Sequence, residues 1–191
     1  YENGTDLLAV KEALFGEKQY QIVIDEKISD INRMNLLYNL ADATILLSSN
    51  EGWGLSATES VMAGTMIIVN VTGGLQDQLR FEDEDGNWIQ HDEKFTTNNL
   101  GHYKKHGVWG LPVFPTSTSW QGSVQTPYVP DDRIDFRDAT KAIIELYNMN
   151  AEERRERALK GREWMSSDEA RMSTTTMCDG IADAVFETLK K

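Results

Sequence analysis

Two glutamates and two glycine-containing loops carry the residues whose types and spacing could do chemistry. Glu51 and Glu59 lie on either side of the first loop, Gly52-Trp53-Gly54-Leu55, and the second loop is Thr72-Gly73-Gly74-Leu75. A glycine loop that opens a helix presents backbone N–H groups without intrahelical partners, and such groups bind phosphate. A carboxylate at Glu59 can accept two hydrogen bonds from a vicinal diol such as that of a ribose. The sequence therefore predicts a site for a nucleoside phosphate.

The elements that must position these loops follow from short apolar runs. Thr44 to Ser48 and Met66 to Asn70 are typical of strands buried on both faces of a parallel sheet. Between them, Leu55 to Ala63 predicts a helix that ends at Gly64 in the left-handed conformation. The order strand, loop, helix, strand indicates an α/β fold with right-handed crossovers. Ligands collect at the carboxyl ends of such strands, where both loops lie.

The rest of the chain predicts further elements around this segment. A strand is expected over Gln19 to Ile24, followed by a helix from Ile31 to about Ala41. Residues 79–136 are rich in turns, aromatics and prolines, which predicts a long insertion with little regular structure, partly packed down by its tryptophans. Helices are predicted over 137–148, 151–165 and 167–191, the last with Ser167 and Asp168 as candidate caps. One domain over residues 1–191 is expected.

Composition narrows the classes of function. The 191 residues include 31 acidic and 19 basic side chains, a formal charge of -12 that disfavours nucleic acid as a partner. No apolar run approaches the roughly 20 residues of a transmembrane helix, so no transmembrane segment is predicted. The single cysteine, Cys178, excludes an internal disulfide and fits a cytoplasmic location. It is predicted to be a buried small side chain on a helix.

The two glutamates separated by seven residues, the aromatic between glycines and the closing Ala63-Gly64 resemble a family signature. They are similar to retaining GT-B glycosyltransferases of group 1 (family 4-like), which are related to glycogen and sucrose synthases. The segment Leu37 to Asp42, and the second loop followed by Asp77, agree with it. The resemblance covers residues 19–77 well and the final helices loosely. It implies a Rossmann-like parallel sheet flanked by helices, the C-terminal donor-binding half of a GT-B fold.

The resemblance also implies roles for individual residues. Glu51 would be the catalytic-site residue that faces the transferred sugar, and the amides of the first loop would meet sugar and diphosphate. Glu59 would hold the ribose, while the second loop would frame the same cleft. The expected donor is a nucleoside-diphosphate sugar, with UDP or GDP as the expected nucleotide. Because helix amides would meet the diphosphate, neither a metal nor another cofactor is expected.

The implied activity is transfer of a sugar to a hydroxyl acceptor, a sugar or glycan, with retention of configuration, as a step of carbohydrate biosynthesis. Family members have an N-terminal Rossmann-like domain that supplies most of the acceptor site, and a basic pair upstream of the first glutamate. Only 50 residues precede Glu51. The chain is therefore expected to begin inside the second domain and to be inactive when isolated.

Other interpretations stay open at this stage. The chain could be a non-catalytic module that binds a nucleotide or sugar, or a GT-B sugar-nucleotide epimerase. His102 and His106 could be metal ligands on one helical face, but no acidic residue lies between them as in metalloproteases, and no metal site is predicted. The acidic run Asp131-Asp132-Arg133-Ile134-Asp135 could bind a cation or an acceptor, although a solvated turn is favoured.

Overall fold

The computed structural model describes residues 5–16, 18, 20–25, 30–90 and 97–190. The chain divides into two compact units, residues 1–34 and 35–191, and each is described by itself. The expectation of one domain over residues 1–191 stays a prediction.

The first unit contains the helix α1 (Leu7–Phe15), which begins where the Asp6 side chain accepts a hydrogen bond of 3.0 Å from the Ala9 N–H. The strand predicted over Gln19 to Ile24 is wrong for residues 20–24, which have no regular structure, and Gln19 itself lies outside the described residues. A strand needs a partner for its ladder, and no described residue pairs with this segment. Val23 is accordingly 90% exposed.

The second unit is built on a parallel sheet of three strands, β1 (Ala43–Leu46), β2 (Met66–Asn70) and β3 (Gly110–Val113), in the order β1-β2-β3. Ile68 in the central strand pairs with Ile45 on one side and with Leu111 on the other. All five residues of that central strand are buried, as its continuous apolar run predicts. The helix α2 (Ile31–Leu40) precedes the sheet.

Helices cover both faces of this sheet, because successive side chains of β2 point to opposite faces. Ile67 and Val69 lie in a core cluster with Ala57 and Val61 of the helix that follows β1. Met66 and Ile68 lie in a second cluster with alanines of the first C-terminal helix. The helices are α3 (Leu55–Ala63), α4 (Leu75–Leu79), α5 (Phe136–Asn148), α6 (Ala151–Met165) and α7 (Thr174–Leu189). The predicted α/β fold, a Rossmann-like parallel sheet flanked by helices, is confirmed.

The segment 79–136 has more regular structure than its composition predicts. It contains β3 and an antiparallel hairpin formed by β4 (Ser117–Gln121) and β5 (Val129–Arg133). Glycine and proline, both depleted in strands, obscure β3 in the sequence, and Pro112 is tolerated because β3 lies at the edge of the sheet.

Two of the tryptophans in this segment pack onto α6, as predicted. The Trp109 ring stacks on that of Trp164 with centroids 5.2 Å apart, and Trp88 meets Trp164 edge-on at 5.3 Å. Trp120, on the hairpin, is instead 67% exposed. Trp120 is therefore the one tryptophan of the segment 79–136 that does not pack into the core.

The last helix differs from its prediction in start and in exposure. It begins after Ser173, whose hydroxyl accepts a hydrogen bond of 3.1 Å from the Thr176 N–H. The predicted caps Ser167 and Asp168 are wrong, because the helix begins only after Ser173. Cys178 lies on this helix but is exposed, so its predicted burial is wrong. Among the described helices, none is long and apolar enough to cross a membrane.

Candidate functional site

The two glycine loops lie side by side at the carboxyl ends of β1 and β2, in direct backbone contact. The Gly74 N–H donates a hydrogen bond of 3.1 Å to the Glu51 carbonyl oxygen. A Cβ atom on Gly73 would lie 2.0 Å from that same oxygen, and one on Gly74 would lie 2.4 Å from the carbonyl oxygen of Gly52. Glycine is therefore needed at both positions of the second loop for the loops to approach.

The second loop has no backbone donors left for a ligand. Its Gly73 N–H donates to the Thr97 carbonyl at 2.7 Å, and its Leu75 N–H donates to the Thr72 carbonyl at 3.1 Å. With the Gly74 bond to Glu51, all three amides are satisfied within the protein. This loop braces its neighbour rather than offering a second set of free amides, which differs from the role that its glycine pair suggests in the sequence.

The first loop has the opposite character. Within the part of the chain that the structure describes, no hydrogen bond is donated by the N–H groups of residues 52–56. Gly54 adopts a left-handed conformation (φ 84°) as the residue before α3, where its carbonyl accepts from Ala57 and Thr58 at 2.9 and 3.2 Å. These free amides sit at the positive end of the α3 dipole and can bind an anion.

Glu59 lies one turn into α3 with its carboxylate exposed. The Tyr38 hydroxyl donates a hydrogen bond of 2.9 Å to Glu59 Oε2. Burial, and then the neighbouring Glu59, raise the pKa of Tyr38 to about 12, so its hydroxyl stays a donor. Thr65 fixes Tyr38 in turn through a hydrogen bond of 2.7 Å to its carbonyl oxygen. Spacing alone predicts no role for Tyr38, because it does not show that this side chain reaches Glu59.

The side chains of the first loop are partly exposed, and hydrogen bonds with α3 and α4 hold the loop in place. The Trp53 indole N–H donates to Thr58 Oγ1 at 3.1 Å, and the residue remains 36% exposed. Gln78 Nε2 donates to the Trp53 carbonyl at 3.2 Å. Glu51 is half-buried at the start of the loop. The site residues that the sequence predicts are thus brought together along one edge of the sheet.

A buried carboxylate for which the sequence predicts no such role connects this edge to the hairpin. Asp132 is fully buried, and it accepts hydrogen bonds from Asn98 Nδ2 at 2.7 Å and from Thr72 Oγ1 at 2.9 Å. Thr118 on β4 donates a third at 2.5 Å. The favoured interpretation of a solvated turn is wrong for Asp132, because the hairpin register, which the sequence does not reveal, turns this residue inward.

Asp131, its neighbour, faces a different set of groups. Hydrogen bonds from the Ser49 hydroxyl and then from Arg133 lower the pKa of Asp131, so it stays ionised at neutral pH. The Asp132 N–H also donates to the Ser49 carbonyl at 2.7 Å. The end of β1 is thereby tied to β5.

Neither the cavity beside β3 nor the pair His102 and His106 adds a binding site to the two loops. A cavity of about 570 Å³ between β3 and α5 is lined by none of the loop residues 48–55 or 72–75. His102 and His106 do not share a helix, and His106 Nδ1 contacts the Gly107 carbonyl at 2.9 Å. In the described ranges, no cluster of three or more His, Cys, Asp or Glu side chains is arranged to hold a metal ion.

Comparison with known proteins bears on the segment that contains both loops. Residues 26–95 match the family model described as glycosyl transferases group 1. This stretch of the chain is similar to group 1 glycosyl transferases. The match includes β1, α3, β2 and α4 and ends before β3 and the hairpin. It supports glycosyl transfer as the general class of activity. No curated protein matches the chain.

Proposed function

We propose that this chain carries the donor site of a glycosyltransferase that moves a sugar from a nucleoside-diphosphate sugar to a hydroxyl acceptor with retention of configuration. One observation carries the proposal: the unpaired amides of residues 52–56 open α3 at the sheet edge, inside the segment that matches group 1 glycosyl transferases. UDP and GDP are the proposed nucleotides.

The diphosphate would occupy the amides of the first loop. Negative charge grows on the leaving diphosphate as the glycosidic bond breaks, so donors that are already aimed at it stabilise the transition state more than the ground state. The second loop contributes indirectly, because its hydrogen bond to the Glu51 carbonyl fixes the backbone from which these amides project. The proposed mechanism needs no metal ion.

Glu59 would bind the ribose of the donor. Its carboxylate is exposed, and Tyr38 holds one of its oxygens while leaving acceptor capacity for the two ribose hydroxyls. Glu51, at the head of the loop, would orient the transferred sugar. The acceptor hydroxyl would attack the anomeric carbon, the bond to the diphosphate would break, and the hydroxyl proton would leave with the diphosphate.

An amide NMR titration with UDP, GDP and ADP tests the donor site. We expect saturable shifts at residues 52–56 with one nucleotide, and Glu59→Ala should weaken its binding roughly 10 to 150-fold, since a hydrogen bond to a charged group contributes about 1.5–3 kcal/mol. Glu187→Ala, an exposed carboxylate on α7, is the matched control. Equal affinity of the Glu59 variant and the wild type would remove the ribose assignment.

A further inference from the structure

The hairpin of β4 and β5 is attached to the segment that leads directly into Glu51. Asn50 Nδ2 donates a hydrogen bond of 2.9 Å to the Pro130 carbonyl. Ser49, one residue earlier, contacts Asp131 through its hydroxyl and Asp132 through its carbonyl. Residues 130–132 of β5 are therefore fixed beside the residue proposed to face the transferred sugar.

The pairing register shows which hairpin side chains continue toward this site. Trp120 pairs with Pro130, and Thr118 pairs with Asp132. Thr118 and Trp120 are two residues apart, so their side chains share one face of β4. Asp132 lies directly opposite Thr118 on that face. Trp120 therefore lies on the face through which Asp132 contacts the second loop. Trp120 is 67% exposed, and Tyr128, directly before β5, is 79% exposed.

The exposed indole offers a ligand a contact surface beside the segment that leads into Glu51. The chain buries three of its five tryptophans wholly or in part within the core around Trp164. A tryptophan ring offers a flat apolar surface with a polar N–H at its edge. A sugar ring has the complementary form, a flat face of C–H groups with hydroxyls around it.

The net charge of the chain limits the kinds of ligand that can bind this surface. A formal charge of -12 repels polyanions and also a second copy of the chain. A neutral carbohydrate meets no such repulsion, and it carries the hydroxyl groups that an acceptor must supply. The hairpin lies outside the segment 26–95, so the match to group 1 glycosyl transferases assigns it no role.

We propose that Trp120 is a platform for a sugar ring of a neutral carbohydrate acceptor, and that the hairpin thereby helps to select the acceptor. This inference rests on the proposed glycosyl transfer, and it gives the acceptor a contact on the same domain as the donor. Trp120 is a positioning residue in this proposal, because it holds the acceptor and touches no reacting atom.

The test is an NMR titration with maltose, cellobiose, mannobiose and N,N′-diacetylchitobiose, with and without UDP or GDP. It follows the indole N–H resonances of the chain and the backbone amides around the hairpin, which report the affinity of variants that lack the Trp120 indole. Trp120→Ala identifies the resonance of this residue by its loss. We expect that resonance to shift saturably with at least one disaccharide, and Trp120→Ala to weaken that binding about tenfold or more. Trp120→Phe should keep most of the affinity. Tyr147→Ala, which removes another exposed aromatic, on α5, should behave as wild type.

The two levels of the proposal fail in different ways. Nucleotide binding at residues 52–56 without any disaccharide effect on the Trp120 resonance, or equal disaccharide affinity in Trp120→Ala, overturns the platform and leaves the donor site standing. Absence of nucleotide binding by the wild type overturns the proposed function itself. Concentration-dependent self-association that Trp120→Ala abolishes would assign this face to a second copy and also overturn the platform.

Discussion

Gly74 donates its backbone N–H to the carbonyl oxygen of Glu51, at 3.1 Å, and so joins the loop that ends β2 to the loop that ends β1. The contact is made by backbone alone on both sides. It lets the second loop hold the first in place without using any of the amides that open α3.

Replacing Gly73 by alanine should destabilise the protein. The new Cβ would lie 2.0 Å from the Glu51 carbonyl oxygen, at a residue whose φ is 46°. The loops must separate, which we expect to cost at least about 1–3 kcal/mol of unfolding free energy in urea denaturation. Gly180→Ala on α7 is the control: nothing lies within 4 Å of its Cβ, so it should stabilise by roughly 0.5–1 kcal/mol. Equal stability of the Gly73 variant and the wild type would contradict the packing described.

Asp132→Asn should loosen the hairpin. The carboxylate accepts from Thr72, Asn98 and Thr118, and an amide would set one of its own donors against theirs. A loss of about 1–3 kcal/mol in unfolding free energy is expected. Asp179→Asn on the exposed α7 should change stability little. If both variants lost the same amount, the network around Asp132 would not be the cause.

Tyr38 should make the stability fall at high pH. Its pKa is raised from 10.0 to about 12 in the folded protein, so an unfolded chain ionises first as pH rises. The stabilisation is fully present below pH 10 and is lost between pH 10 and about 12. Wild type should therefore lose more stability than Tyr38→Phe across this window, and absorbance titration of phenolate should lack the late-ionising group in the variant. Parallel pH profiles would refute the assignment.

Hydrogen exchange should separate the two loops. The amides of residues 52–56 donate no hydrogen bond within the described part of the chain, whereas those of Gly73, Gly74 and Leu75 all do. In the free protein the first group should exchange fast and the second slowly. A bound nucleotide should slow exchange in the first group and leave the second nearly unchanged. The reverse pattern would place the anion at the second loop.

The sequence predicts the segment from α3 to β2 well, because local signals agree there, whereas β1 spans Ala43–Leu46 and ends two residues before the predicted Ser48. The range of α3, its end at Gly64 and the range of β2 follow from apolar runs and glycine positions. The side-by-side position of the loops follows from parallel topology. That the amides of Gly73 to Leu75 are already satisfied does not, since it depends on the carbonyls of Thr97 and Glu51, which come from other parts of the chain.

Long-range pairing explains what the sequence does not show. Asp132 looks like part of a solvated run until the hairpin register turns it toward Thr72, which lies 60 positions earlier in the chain. Tyr38 reaches Glu59 through a hydrogen bond that joins residues 21 positions apart, which no local pattern reveals. The strand expected near Ile22 shows the converse, since a local β pattern forms no strand without a neighbour to pair with.

The contacts of β5 with Ser49 and Asn50 fix the strands of the hairpin and leave its turn free to change. Among the described residues, the turn 122–128 makes its recorded hydrogen bonds only within itself, between Ser123 and Thr126. Doubling the length of such a turn costs only about 0.6 kcal/mol in closure entropy. This turn is therefore where insertions and randomised libraries should be tolerated, which makes it the natural place to engineer a different recognition surface while the sheet and its two loops stay intact.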